Sequence, residues 1–164
     1  MAPTQYAPAS LYRTTEGLGI WEHRGKVAAV GIGHSPTARR WDGTVDSSIA
    51  AYSILALRNA MEDAGVSPDQ VDGLVIVPSA TTGELWAPTR PIPEDFASRY
   101  QPSDNPNDGL SSMSAEFLLK NMPELTNVNF TMHAGGCMSQ GVVVAAQAVG
   151  DGLTNTCLVL KTWN

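Results

Sequence analysis

Apolar positions along the chain fall into two rhythms, short continuous runs and stretches with helical spacing. Lys26 to Gly33 (KVAAVGIG) is a Val-containing run ended by glycine, which predicts a buried strand. A loop with Pro36 and Gly43 follows. Ile49, Leu55, Leu57, Ala60, Met61 and Ala64 then recur at three- and four-residue spacings. This predicts a helix over 46–64, capped by Asp46 or Ser47 and stopped by Gly65. Ser67-Pro68-Asp69 turns the chain into Gly73 to Pro78 (GLVIVP), a second buried strand. Ser111 to Asn121 predicts a helix with Met113, Phe117 and Leu118 inward. Asn127 to Met132 alternates and predicts a strand with Val128, Phe130 and Met132 on one face. Met138 to Val149 predicts a nearly uncharged helix ended by Gly150, and Thr156 to Trp163 a last strand. The alternation of strands and helices implies an α/β fold: a mixed, mainly parallel sheet with helices on both faces. No internal repeat is present.

Two stretches break the rhythm. Residues 1–24 form a polar arm, disordered or docked on a partner, ahead of a single domain over 25–164. Residues 79–110 hold Pro88, Pro91, Pro93, Pro102 and Pro106, which argues against a regular element there. A loop of that length is expected to serve function or an interface. Its Trp86, Phe96 and Tyr100 point to packing on something, and Trp86 and Trp41 are candidate interface anchors.

Composition narrows the function classes. The 164 residues are 43% apolar and 16% charged, so large internal or interface surfaces are expected. The net charge of -6 and the scattering of basic residues, apart from Arg39-Arg40, argue against nucleic acid. No apolar run approaches the ~20 residues of a membrane span, and Met1 to Ser10 lacks the pattern of a secretory signal. Cytoplasmic location is the resulting expectation. The 2 cysteines, Cys137 and Cys157, form neither a disulfide framework nor a metal-binding pair, so no metal site is expected.

Cys137 carries the chemistry. It stands between a predicted strand and a predicted helix, directly after Gly135-Gly136. Glycines permit a sharp turn, and a helix amino terminus favours negative charge, lowers a thiol's pKa and can support charge on an acyl oxygen. In the helix behind it, Gly141 to Val149 offers only Gln147 as a clearly polar residue, so burial on all sides is expected. The alternative reading is a small core thiol. Cys157, among Leu158, Val159 and Leu160, is read as core. His133 is a turn residue or lines a pocket and moves protons, and His34 lies in a surface loop. Gly31-Ile32-Gly33 lacks the third glycine of a dinucleotide fingerprint. Asp63, Asp69 and Asp72 are read as solvated turn residues.

The stretch HAGGCMSQGVVVAAQAVGDGLTNTCLVL (133–160) resembles the cysteine motif of thiolases. It is most similar to the sterol-carrier-protein-type and lipid-transfer-like branch, with Ala145-Ala146-Gln147-Ala148-Val149 close to the family's helix end. KVAAVGIGHSPTARR (26–40) and GVSPDQVDGLVIV (65–77) resemble that family's first strand and loop and its next strand. The resemblance implies the amino-terminal half of a thiolase-like fold, with Cys137 as nucleophile and His133, Gly136, Met138 and Ser139 at the substrate. It implies an acyl-coenzyme A thioester as substrate, no permanently bound cofactor, and thiolysis of a β-ketoacyl thioester or its reverse, in lipid, steroid or aromatic acid degradation. Other readings of the same fold are an aldolase acting on a coenzyme A thioester and a non-catalytic subunit of a heteromer. Gln140 departs from the family, where glycine is common. The family's carboxy-terminal histidine and second cysteine motifs have no counterpart in this sequence. The expected partners are therefore a carboxy-terminal half, a second copy, or a zinc-ribbon and OB-fold subunit. Positive charge for coenzyme A would come from one of these.

Overall fold

The computed structural model describes residues 21–37, 41–77, 92–135 and 137–162. Its centre is a parallel sheet of three strands, β1 (Gly73–Val77), β2 (Phe130–His133) and β3 (Cys157–Lys161), in the order β2-β1-β3. All five residues of β1 are buried, as befits the central strand of a sheet covered on both faces. Gly73 pairs with Phe130 on one side and with Cys157 on the other.

Side chains alternate across this sheet and divide the core in two. Leu74, Ile76 and Leu160 face α1 (Ile49–Ala64) and α3 (Ala115–Asn121), joined by Phe96 of the short helix α2 (Phe96–Arg99). Val75 and Val77 face α4 (Met138–Gly150), where Ala145 packs. The α/β class, the parallel sheet and the helices on both faces agree with the sequence pattern. Strand order explains the division. The chain passes from β1 to β2 in one direction, then returns past β1 to reach β3. If both crossovers keep the usual right hand, their helices must lie on opposite faces.

The first helix has the expected stop but a different start. Gly65 is left-handed (φ 64°) and closes α1 through its amide to Glu62. The cap is Ser48, not Asp46 or Ser47: its hydroxyl accepts from the Ala51 amide at 3.2 Å. Asp46 and Ser47 sit in a preceding 3-10 turn, Val45–Ser47. Likewise α3 starts at Ala115 with Ser114 as cap, four residues later than the periodicity suggested.

The run Lys26 to Gly33 is not a strand. It is irregular, and from Gly31 to His34 it lies along α1, with Val30 and Ile32 exposed. Its glycines explain this. A Cβ on Gly31 would lie 2.6 Å from the Ala60 carbonyl oxygen, and one on Gly33 would lie 2.0 Å from that of Ala56. The backbone therefore rests directly on the helix, held by Ile32 N–H to Asp63 Oδ2 at 2.9 Å and by Asn59 Nδ2 to the His34 carbonyl at 2.9 Å. Close approach to the helix takes the place of ladder pairing.

The long proline-containing stretch contributes to the core where it is described. Phe96 and Tyr100 pack on Phe117, with ring centroids 6.3 and 5.9 Å away, so the aromatic residues anchor within the chain. The α2 turn is a regular element that the prolines had argued against. Buried Asp108 organises the following loop by accepting from Ser103, Ser112 and Ser114 hydroxyls at 2.5 to 2.7 Å. Trp86 lies outside the described residues, as do Trp163 and residues 1–20 of the amino-terminal arm. No helix among the described residues is long and apolar enough to cross a membrane.

Candidate active site

Cys137 is the residue immediately before α4, in extended conformation (φ −111°, ψ 166°). Its carbonyl already accepts from the Gln140 amide at 3.0 Å, which makes it the helix cap position. Its side chain is exposed. The thiol lies 2.8 Å from the Ser139 hydroxyl. That contact is the largest influence drawing the Cys137 pKa below the ordinary 9.0, followed by the Gln140 and Ser139 amides of the helix's first turn. A thiol with a hydroxyl donor and helix amides beside it gains thiolate character while remaining accessible.

Cys157 is the internal control. It opens β3, half-buried, with Sγ 3.6 Å from the Leu158 carbonyl. Burial, and then the charge of Asp72, push its thiol up to about 11. The two thiols are thus shifted in opposite directions, and Cys137 is the one with the greater thiolate character at neutral pH.

The location is also set by the topology. Cys137 follows the carboxyl end of β2 by a short turn. The connections leaving the neighbouring strands β1 and β2 go to opposite faces of the sheet. In open α/β sheets the crevice at such a reversal is where ligands bind. His133 is the last residue of β2 rather than part of the turn, and it is exposed, as are Met138 and Ser139. The structure thus gathers Cys137, Met138 and Ser139 at one helix end and brings His133 to the adjoining strand end. Gly136 lies outside the described residues. Ala134 is buried, and its amide reaches across to the Ile76 carbonyl at 2.8 Å, which fixes the start of the turn to the central strand.

The helix behind the cysteine corrects one expectation. It is not enclosed on all sides. Gly141, Ala145 and Ala148 are buried against the sheet, whereas Val142 is 45% and Val143 67% exposed. Gly141 is needed for contact: a Cβ there would lie 2.4 Å from Val77 and 3.0 Å from Val159. The outer side is nonetheless apolar, which is unusual for a helix facing water.

Sequence reasoning missed Asp72. It is no solvated turn residue. Its carboxylate accepts from the Thr154 hydroxyl, from the Asn155 amide at 2.9 Å and side chain at 2.8 Å, and from the Thr156 amide at 2.8 Å. Its carbonyl accepts from Asn129 and Phe130. Burial opposes ionisation, but these donors outweigh it and bring the carboxyl down to about 2. The one available signal was its place directly before a buried strand.

Geometry and chemistry together describe an α/β domain with an exposed cysteine, its thiol pKa drawn down, at a helix amino terminus. No known family profile matches the chain, and no curated protein matches it either. Among solved structures it is similar to one described as "Ltp2-ChsH2(DUF35) aldolase", at 21% identity with a TM-score of 0.49. It is also similar to the priming β-ketosynthase from the R1128 polyketide biosynthetic pathway, at 18% identity with a TM-score of 0.46. Each alignment covers 82% of this chain but only 27% and 41%, respectively, of the other.

Proposed function

We propose that this chain forms the amino-terminal half of a thiolase-type acyl-transferring enzyme, with Cys137 as nucleophile. The observation that carries the reading is the contrast between two thiols of one chain: Cys137 exposed and acidified at a helix start, Cys157 half-buried and pushed to about 11. The ordered resemblance of 26–40, 65–77 and 133–160 to thiolases supports it. In the reaction, the Cys137 thiolate attacks the carbonyl of an acyl-coenzyme A. The new S–C bond forms as the old thioester C–S bond breaks, and coenzyme A leaves as a thiolate that takes up a proton. The acyl group then passes to coenzyme A or to a carbon nucleophile, so one difficult exchange becomes two easier ones. The amino end of α4 favours the charge that develops next to it. His133 and Met138 line the acyl position, and a carboxy-terminal half or a second copy covers the apolar side of α4 and supplies the remaining proton-transfer groups.

Iodoacetamide labelling followed by peptide mass analysis tests this. Cys137 is expected to react at least about 10-fold faster than Cys157, and acyl-coenzyme A is expected to protect it. Equal rates at both thiols would remove the proposal. Carbon–carbon cleavage of a coenzyme A thioester that survived Cys137→Ala would assign the chain to a lyase instead.

A further inference from the structure

We infer that Glu22, His23 and Asp151 form a binding site for one divalent transition cation of the zinc type, joining the Trp21–Lys26 turn to the end of α4. One ligand atom from each of the three lies within 4.8 Å of the other two. His23 Nε2 is 2.8 Å from Asp151 Oδ1 and 3.5 Å from Glu22 Oε1. Atoms bound at about 2.0–2.2 Å to one ion lie roughly 2.8–3.6 Å apart in octahedral or tetrahedral arrangements. Both measured separations fall within that range. The Glu22 side chain is 75% exposed, so it can turn to close the third edge.

The surroundings hold the donors in place. The His23 side chain is only 11% exposed. Its ring meets Trp21 edge-on, with centroids 5.5 Å apart at 85°. On its other side it rests on Gly150, where a Cβ would come within 2.3 Å of the ring. Gln147 Nε2 donates to both Asp151 oxygens at 2.9 and 3.0 Å, and Gln147 Oε1 in turn accepts from Trp21 Nε1 at 2.8 Å. This is the supporting layer that orients ligands in metal sites. Charge favours the same reading. Two carboxylates converge on one imidazole, and a divalent cation balances the charge of both. Imidazole with two carboxylates suits zinc and its neighbours better than magnesium or calcium.

The inference is independent of the acyl-transfer reading, and its test is kept separate from the thiol. Cobalt(II) is titrated into the full chain carrying Cys137→Ala and followed by visible absorption and calorimetry. The expected result is one ion per chain, without sulfur-to-cobalt charge-transfer absorption. Glu22→Gln alters an exposed side chain and is expected to weaken binding about 10-fold, as is Gln147→Ala in the supporting layer. Asp151→Asn should abolish it. No uptake at millimolar cobalt would overturn the site. So would uptake that Glu22→Gln and Asp151→Asn leave unchanged while thermal melting shows both variants folded.

Discussion

The two ends of the sheet are built for different purposes. At the amino-terminal edge, Asp72 ties all three strands together. Its carboxylate collects the start of β3, and its carbonyl collects the start of β2. At the carboxyl edge, four residues of β2 end in exposed His133, the chain turns, and Cys137 stands open beside Ser139. Thr162 there keeps a buried hydroxyl with no hydrogen-bond partner among the described residues. The Asp72 carboxylate is fully engaged within the chain, while at the other edge the Cys137 thiol stays exposed. The comparison teaches where stability and reactivity can be separated: donors spent on Asp72 lock the strands, and donors gathered at Cys137 tune a thiol.

Substitutions at each edge should separate these roles. The largest effect is expected from Asp72→Ala, which strands the buried Thr154 hydroxyl and several amides. Urea unfolding should show a loss of about 2–3 kcal/mol, with the Cys137 alkylation rate unchanged in the folded protein. The pH dependence has a definite sign. Because the folded carboxyl is depressed to about 2 from 3.8, its stabilisation is complete above the unfolded value and disappears as pH falls from about 4 to 2. Asp72→Asn should flatten that part of the acid unfolding curve. An equally steep curve would move the locking role elsewhere.

Gly141→Ala joins the two edges, since α4 carries Cys137 and rests on Val77 and Val159. Alanine is the better helix former by about 1 kcal/mol, but its methyl has no room against the sheet. A net loss of about 1–2 kcal/mol is expected, together with a changed Cys137 reactivity as the helix moves outward. The smallest change is Ser139→Ala. Removing the hydroxyl should raise the thiol pKa and slow alkylation at pH 7 a few-fold, with stability altered by less than about 0.5 kcal/mol. An unchanged pH–rate profile would show that the helix amides alone set the thiol's acidity.

Particular residues show how much was legible beforehand. The run GLVIV has the pattern of a buried strand, and β1 is one. Gly65 follows the last apolar position of α1, and its backbone is left-handed there. The run KVAAVGIG carries the same apolar signal but is neither a strand nor buried: only its glycine end rests on α1, because an apolar run does not specify which element will cover it. The helix after Cys137 was read as enclosed because apolar residues encircle it, yet Val142 and Val143 face outward. Composition says what a surface can bury, whereas only the neighbouring elements decide which side is covered.

Local chemistry was therefore written in the chain order. Glycines before Cys137, small residues behind it, and the alternation of strands and helices are properties of neighbouring residues, and short-range sterics act on them directly. The Asp72 clasp and the meeting of His23 with Asp151 join residues 84 and 128 positions apart. The first arises because strand order β2-β1-β3 sets the start of β3 beside β1, and the second because the Trp21–Lys26 turn packs on the end of α4. Sequence spacing holds no record of them, because the contacts are made by packing between distant elements rather than along the backbone.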